Sequence, residues 1–203
     1  MKTWAITGGI ACGKGTVSAS LAKECGPQSV AVFDCDRAVH ELLDRAEIVQ
    51  DLQSRTTAGI LDGEGRLDRV RMRDAVFSDE TFRREVESVL HPLVRDRASD
   101  FLEESANRTE CRLAVVEVPL LFESGFPIGR DGVIGVGASR EMQTRRICEN
   151  RQIDRETAER MIDSQMSVEE KMDRSDYVIW NDGSLAALTG QVSRLVLRHL
   201  PNS

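Results

Sequence analysis

An α/β fold built on a mainly parallel five-stranded sheet is predicted by three features of the chain. Strand-length apolar runs alternate with helical segments. A glycine-rich turn joins the first run to the first helix. A long helical stretch follows the second run and is too long for one crossover.

The elements follow in order. Trp4-Ala5-Ile6-Thr7 reads as a short buried strand that meets glycines at once. Thr16 to Cys25 reads as a helix with Val17, Leu21 and Ala22 on one side, ended by Gly26-Pro27. Val30 to Phe33 is a second strand, ending at Asp34, which completes a βαβ unit. From Ala38 to about Leu102 the pattern is mostly helical, with Phe82, Val86, Val89, Leu90, Leu93, Val94, Phe101 and Leu102 as its clearest apolar stripe. A turn-like break covers Gly59 to Gly65. This stretch is expected to be an inserted subdomain, roughly residues 38–110. Leu113 to Val118 is a third strand and Val133 to Val136 a fourth. Ser139 to Arg174 is charged and helical, Tyr177 to Trp180 is a fifth strand, and Leu185 to Leu200 is a closing amphipathic helix. No repeat, low-complexity tract or long linker divides the 203 residues, so one domain is expected.

Composition narrows the function. Apolar residues make up 40% and charged residues 30% of the chain, a globular balance. The net charge of −7 argues against a nucleic-acid partner. An anionic small substrate is compatible with it if cations gather in one cleft. No apolar run approaches the ~20 residues of a membrane span, and no secretory signal pattern opens the chain, so a cytoplasmic protein is expected. The five cysteines form no CxxC pair, which reads as reduced thiols rather than a disulfide framework or zinc site.

Gly8-Gly9-Ile10-Ala11-Cys12-Gly13-Lys14 matches G-x-x-x-x-G-K between a strand and a helix, where a phosphate loop belongs. Its main-chain amides can point at phosphate oxygens, and the helix N-terminus adds positive potential. The candidate ATP-binding residues are Gly9, Ile10, Ala11, Cys12, Gly13, Lys14, Gly15 and Thr16, with Lys14 at the β- and γ-phosphates. Gly15 stands where a metal-holding Ser or Thr is usual, and the hydroxyl comes one residue later at Thr16. Thr16, or an acid such as Glu117 acting through water, could hold Mg²⁺.

Asp34-Cys35-Asp36 lies at the second strand's C-terminal end, the edge where open α/β sheets bind ligands. Phosphorylating a hydroxyl calls for a carboxylate that orients it and accepts its proton. Taken alone Asp36 reads as a helix N-cap, but beside the phosphate loop the catalytic reading comes first. An extended Asp34-Cys35-Asp36 would send the two carboxylates to opposite sides. Glu123 reads either as a solvated loop charge or as part of the site. His91 reads as a packed or helix-terminal histidine. The arginines of Ser139 to Arg174, with Lys171 and the acids among them, read for the most part as a solvated, ion-paired face, from which one or two arginines turn inward.

Taken together, these motifs resemble dephospho-coenzyme A kinases along nearly the whole chain. The matching pieces are Thr7 to Ile10 with Gly13-Lys14, Asp34-Cys35-Asp36, Asp62-Gly63, Leu67-Asp68-Arg69, Val76-Phe77 and Leu90-His91-Pro92. They continue with Val118 to Glu123, Asp131, Gln143, Arg146, Gln165, Ile179 and Asn181. The resemblance implies a three-layer P-loop NTPase-type fold, a helical insertion binding coenzyme A, and a helical lid over roughly residues 139–175. It implies ATP as donor and dephospho-coenzyme A as small-molecule acceptor, with a monomer or small homo-oligomer as the acting species. It casts Asp36 as base, Lys14 as phosphate lysine and Arg146 as lid arginine over ATP, with Asn181 also at ATP. It places Asp34, His91, Pro119, Leu120 and Glu123 around the acceptor. Ala11 and Cys12 depart from the family's usual Gly and Ser, and a second lid arginine would fall at Asn150, beside Arg151. Gly-Lys-Gly-Thr also resembles the loop of nucleoside monophosphate kinases, which keeps that activity as an alternative. A nucleotide-binding module without turnover is a third.

Overall fold

The computed structural model describes residues 1–200. Five strands form one parallel sheet: β1 (Lys2–Gly8), β2 (Val30–Asp34), β3 (Leu113–Glu117), β4 (Gly132–Gly137) and β5 (Tyr177–Trp180). Their order is β2-β3-β1-β4-β5, with β1 central. The three inner strands are buried on both faces, which is why β3 and the middle of β1 read as continuous apolar runs. The edge strands carry exposed Val32, Val178 and Trp180.

Helices α1 (Lys14–Cys25) and α10 (Leu185–His199) pack against the sheet and each other. Val17 and Leu21 of α1 join Leu188, Val192 and Val196 of α10 over Trp4, Ile6, Val115 and Ile134. The apolar stripe expected in the closing helix is this contact. No helix of the described residues is long and apolar enough to cross a membrane.

The chain divides into two compact units. One comprises Met1–Asp34 and the chain from Asp100 onward, and holds the sheet. The other is Cys35–Ser99, with α2 (Cys35–Leu42), α3 (Ala46–Ser54), α4 (Arg69–Ser78) and most of α5 (Glu80–Ala106). Within it, Asp62 closes the expected turn by accepting the amides of Glu64 and Arg66, both 2.9 Å. Those two amides hold its carboxyl below the usual range. Asp68 caps α4 by accepting from Val70 and Arg71.

The structure refines three local readings. Cys35 opens α2 directly after Asp34, so Asp34-Cys35-Asp36 is not extended and Asp36 lies inside the first turn rather than at the cap. His91 is exposed in the middle of α5, neither packed nor terminal. Ser139 to Arg174 is three helices, α7 (Arg140–Arg151), α8 (Arg155–Asp163) and α9 (Val168–Asp173), capped by Ser139, Asp154 and Ser167. The short helix α6 (Leu121–Ser124) follows β3.

Candidate functional site

The site begins where β1 stops. Gly8 ends the strand with φ 150°, and a Cβ there would collide with the Val136 carbonyl of neighbouring β4. The chain then curls through Gly9 to Gly13 and enters α1 at Lys14, with Thr16 and Val17 donating to the Gly13 carbonyl, both at 3.1 Å. Gly13 takes φ 95°, and a Cβ would run into the Asn181 amide. Its glycine identity is thus fixed twice, by backbone angle and by space.

Ala11 adopts φ 59° in the left-handed region. That conformation costs a residue with a Cβ on the order of 1–2 kcal/mol. Part of the cost returns when the Cβ is removed, and glycine's larger unfolded-state entropy offsets the rest. Ala11→Gly is therefore expected to raise the thermal midpoint by about 2–4 °C in a circular-dichroism melt, near 1 kcal/mol for a chain of this size. A lowered midpoint would show that Ala11 is unstrained. Gly15 differs: nothing lies within 4 Å of a Cβ built there, so a serine would fit.

Four side chains from downstream elements grip the loop's backbone. Gln143 Nε2 donates to the Ile10 carbonyl at 2.8 Å, and Gln165 Oε1 accepts from the Ile10 amide at 3.0 Å. Arg146 Nη1 donates to the Ala11 carbonyl at 3.1 Å while its Nη2 donates to the Asn181 carbonyl at 2.8 Å. Asn181 Nδ2 donates to the Cys12 carbonyl at 2.8 Å. Residues 10–12 are thus held from α7, the α8–α9 connection and the end of β5. Lys14 Nζ lies against the loop, donating to the Gly8 and Gly9 carbonyls at 3.1 and 3.2 Å. Cys12 is fully buried, and burial pushes its thiol pKa up despite the opposing charge of Lys14. A neutral buried thiol is a poor nucleophile, so Cys12 reads as packing. All five cysteines are free thiols.

Strand register brings acidic groups to the same edge. Glu117 pairs with Ile6 on one side and Asp34 on the other, so Asp34, Glu117 and the loop share the sheet's C-terminal edge. Glu117 is buried and Asp34 exposed. Pro119, Leu120 and Glu123 follow in the turn after β3 and in α6. Asp36 is exposed in the first turn of α2 and His91 exposed on α5, both in the Cys35–Ser99 unit. Arg151 is exposed, with Nη1 3.9 Å from the Met161 sulfur.

Sequence reasoning overlooked three roles. Gln143 and Gln165 carried no assigned task, yet both hold Ile10. Lys171, counted with the solvated charges, is 0% exposed, and its Nζ donates to Glu123 Oε1 at 2.8 Å and the Pro119 carbonyl at 2.9 Å. Glu123 is exposed as a residue, but its carboxylate is ion-paired rather than free in water, and its side chain is 23% exposed. The other cations of this segment behave as expected: Arg140 pairs with Asp163, Arg155 with Glu141 and Glu159, Arg160 with Glu156 and Arg174 with Glu170, each arginine being exposed.

The chain is similar to known proteins over nearly its whole length. The family model for dephospho-CoA kinase matches residues 3–187. A dephospho-CoA kinase of Fusobacterium nucleatum is 33% identical over 189 residues, 93% of this chain and 94% of that one. One of Symbiobacterium thermophilum is 39% identical over 194 residues, 95% of this chain and 79% of that one. A crystal structure from Thermus thermophilus superposes with a TM-score of 0.81 at 32% identity, covering 99% of this chain and 98% of that one. These matches do not favour the nucleoside monophosphate kinase alternative. The chain belongs to the dephospho-CoA kinase family.

Proposed function

We propose that the protein transfers the γ-phosphoryl group of ATP to the ribose 3′-hydroxyl of dephospho-coenzyme A, giving coenzyme A and ADP, the last step of coenzyme A synthesis. The observation that carries this reading is the clamped loop at the end of β1, a glycine-lined turn with Lys14 at the head of α1, in a chain of this family. Such a turn meets an anion with main-chain amides and the positive end of a helix. Lys14 holds the β- and γ-phosphates and offsets charge as the phosphoryl group moves. The remaining phosphate and nucleotide contacts come from Gly9, Ile10, Ala11, Cys12, Gly13, Gly15, Thr16, Arg146 and Asn181.

Asp36 orients the ribose hydroxyl and takes its proton. Asp34, His91, Pro119, Leu120 and Glu123 contact the acceptor. The insertion over residues 38–110 supplies acceptor contacts, and the segment over 139–175 acts as a lid that keeps water from the γ-phosphate. Mg²⁺ fits the oxygen donors at hand, the Thr16 hydroxyl in the first turn of α1 and the buried Glu117 carboxylate, the latter through water. Magnesium of this kind is held by one or two protein oxygens together with nucleotide phosphates and water. When bound, the ion neutralises charge on the β- and γ-oxygens. We place the enzyme in the cytoplasm as a monomer or small homo-oligomer.

The test is an acceptor panel. Purified protein with Mg-ATP is expected to release ADP with dephospho-coenzyme A and not with nucleoside monophosphates. Turnover with the monophosphates alone would replace the acceptor, and ATP binding without product from any acceptor would make the protein a binding module.

A further inference from the structure

Lys171 stands apart from every other cation in its segment. Its neighbours Arg160 and Arg174 hold exposed i,i+4 pairs, while its own side chain is fully buried. Its partner Glu123 reaches the surface, so the pair is buried on the lysine side only. Burying a charge is a weak device for stability alone, because apolar side chains of the same volume often do as well. Its merit lies in direction, since a buried ammonium fixes the groups that surround it.

Those groups connect the two sides of the site. Lys171 Nζ donates to the Pro119 carbonyl at 2.9 Å, and the same oxygen accepts from Thr7 Oγ1 at 3.2 Å, one residue before Gly8. Nζ also meets Glu123 Oε1 at 2.8 Å. Glu123 Oε1 accepts from the Met166 amide at 3.2 Å, and the preceding Gln165 holds the Ile10 amide of the phosphate loop. A continuous set of polar contacts therefore runs from the turn after β3, through residues 165–171, to the loop.

We propose that Lys171 is a positioning residue for the acceptor: its buried ammonium holds the Pro119–Glu123 turn in register with the phosphate loop. This rests on the acceptor contacts assigned above to Pro119, Leu120 and Glu123. With the turn released, the hydroxyl is misaligned while the nucleotide side, held by Gln143, Arg146 and Asn181, is disturbed less.

The experiment measures KM separately for dephospho-coenzyme A and ATP, with thermal midpoints, in wild type, Lys171→Met and Thr7→Val. Lys171→Met is expected to raise the acceptor KM by about 10-fold to 10²-fold, with the ATP KM moved far less. Thr7→Val removes the second donor to the Pro119 carbonyl without stranding a charge, and is expected to raise the same KM by a smaller factor. A merely structural lysine would lower the thermal midpoint and the active fraction and leave both KM values at wild type. That result overturns the proposal. If Lys171→Met does not fold, Thr7→Val decides, and an unchanged acceptor KM in it overturns the proposal. Wild type that turns over no dephospho-coenzyme A overturns the acceptor reading itself, and the proposal with it.

Discussion

Arg146→Met is expected to lower kcat by roughly 10³–10⁵-fold, the range for an arginine that stabilises charge on a transferring phosphoryl group. The side chain already lies at the phosphate loop, bonded to the Ala11 and Asn181 carbonyls. A guanidinium carries five N–H donors in a fixed fork, so anchoring to two carbonyls and contacting a phosphate are compatible. Loss of the anchor adds a second effect, a rise in ATP Kd as residues 11–13 loosen. Arg146→Lys separates the two, because an ammonium restores the charge and not the fork. It is expected to recover only a minor part of kcat. Steady-state kinetics at saturating substrates, with ATP affinity by calorimetry, checks this. A kcat within tenfold of wild type in Arg146→Met would leave Arg146 as a loop anchor alone.

Asp36→Asn is expected to cut turnover by roughly 10²–10⁴-fold with ATP affinity nearly intact. The substitution keeps the shape of the side chain and removes its capacity to accept a proton. Asp36 lies in the first turn of α2, where a carboxylate gains about 0.3–1 kcal/mol from the helix N-terminus. The variant should therefore fold with at most a small drop in midpoint, and its activity loss reports on chemistry. Turnover like wild type would remove Asp36 from the mechanism.

The strands and the phosphate loop were legible because local rules set them. Leu113–Glu117 is buried throughout, so its apolar run is unbroken, and the spacing of Gly8, Gly13 and Lys14 carries its own geometry. Helix ends were also written in the chain where side chains cap them. Ser139, Asp154 and Ser167 each accept an amide three residues on, a signal that the dense charge between them obscured. What could not be read is where a side chain points when its partner is far along the chain. Lys171 meets Pro119, 52 residues away, and Gln165 meets Ile10, 155 away. Composition says only that charges in such a segment are usually solvated. The helix phase that turns this one lysine inward depends on tertiary packing. Local context was no surer guide for the plain structural readings of Asp36 and His91, since a strand that passes directly into a helix puts the first inside the opening turn and an exposed helix face carries the second.

The most direct test of the account follows the phosphorus. Protein incubated with γ-labelled ATP and dephospho-coenzyme A is expected to place the label on the ribose 3′-oxygen, one label per ADP formed. Label appearing as free inorganic phosphate, or on any other position of the acceptor, would contradict it.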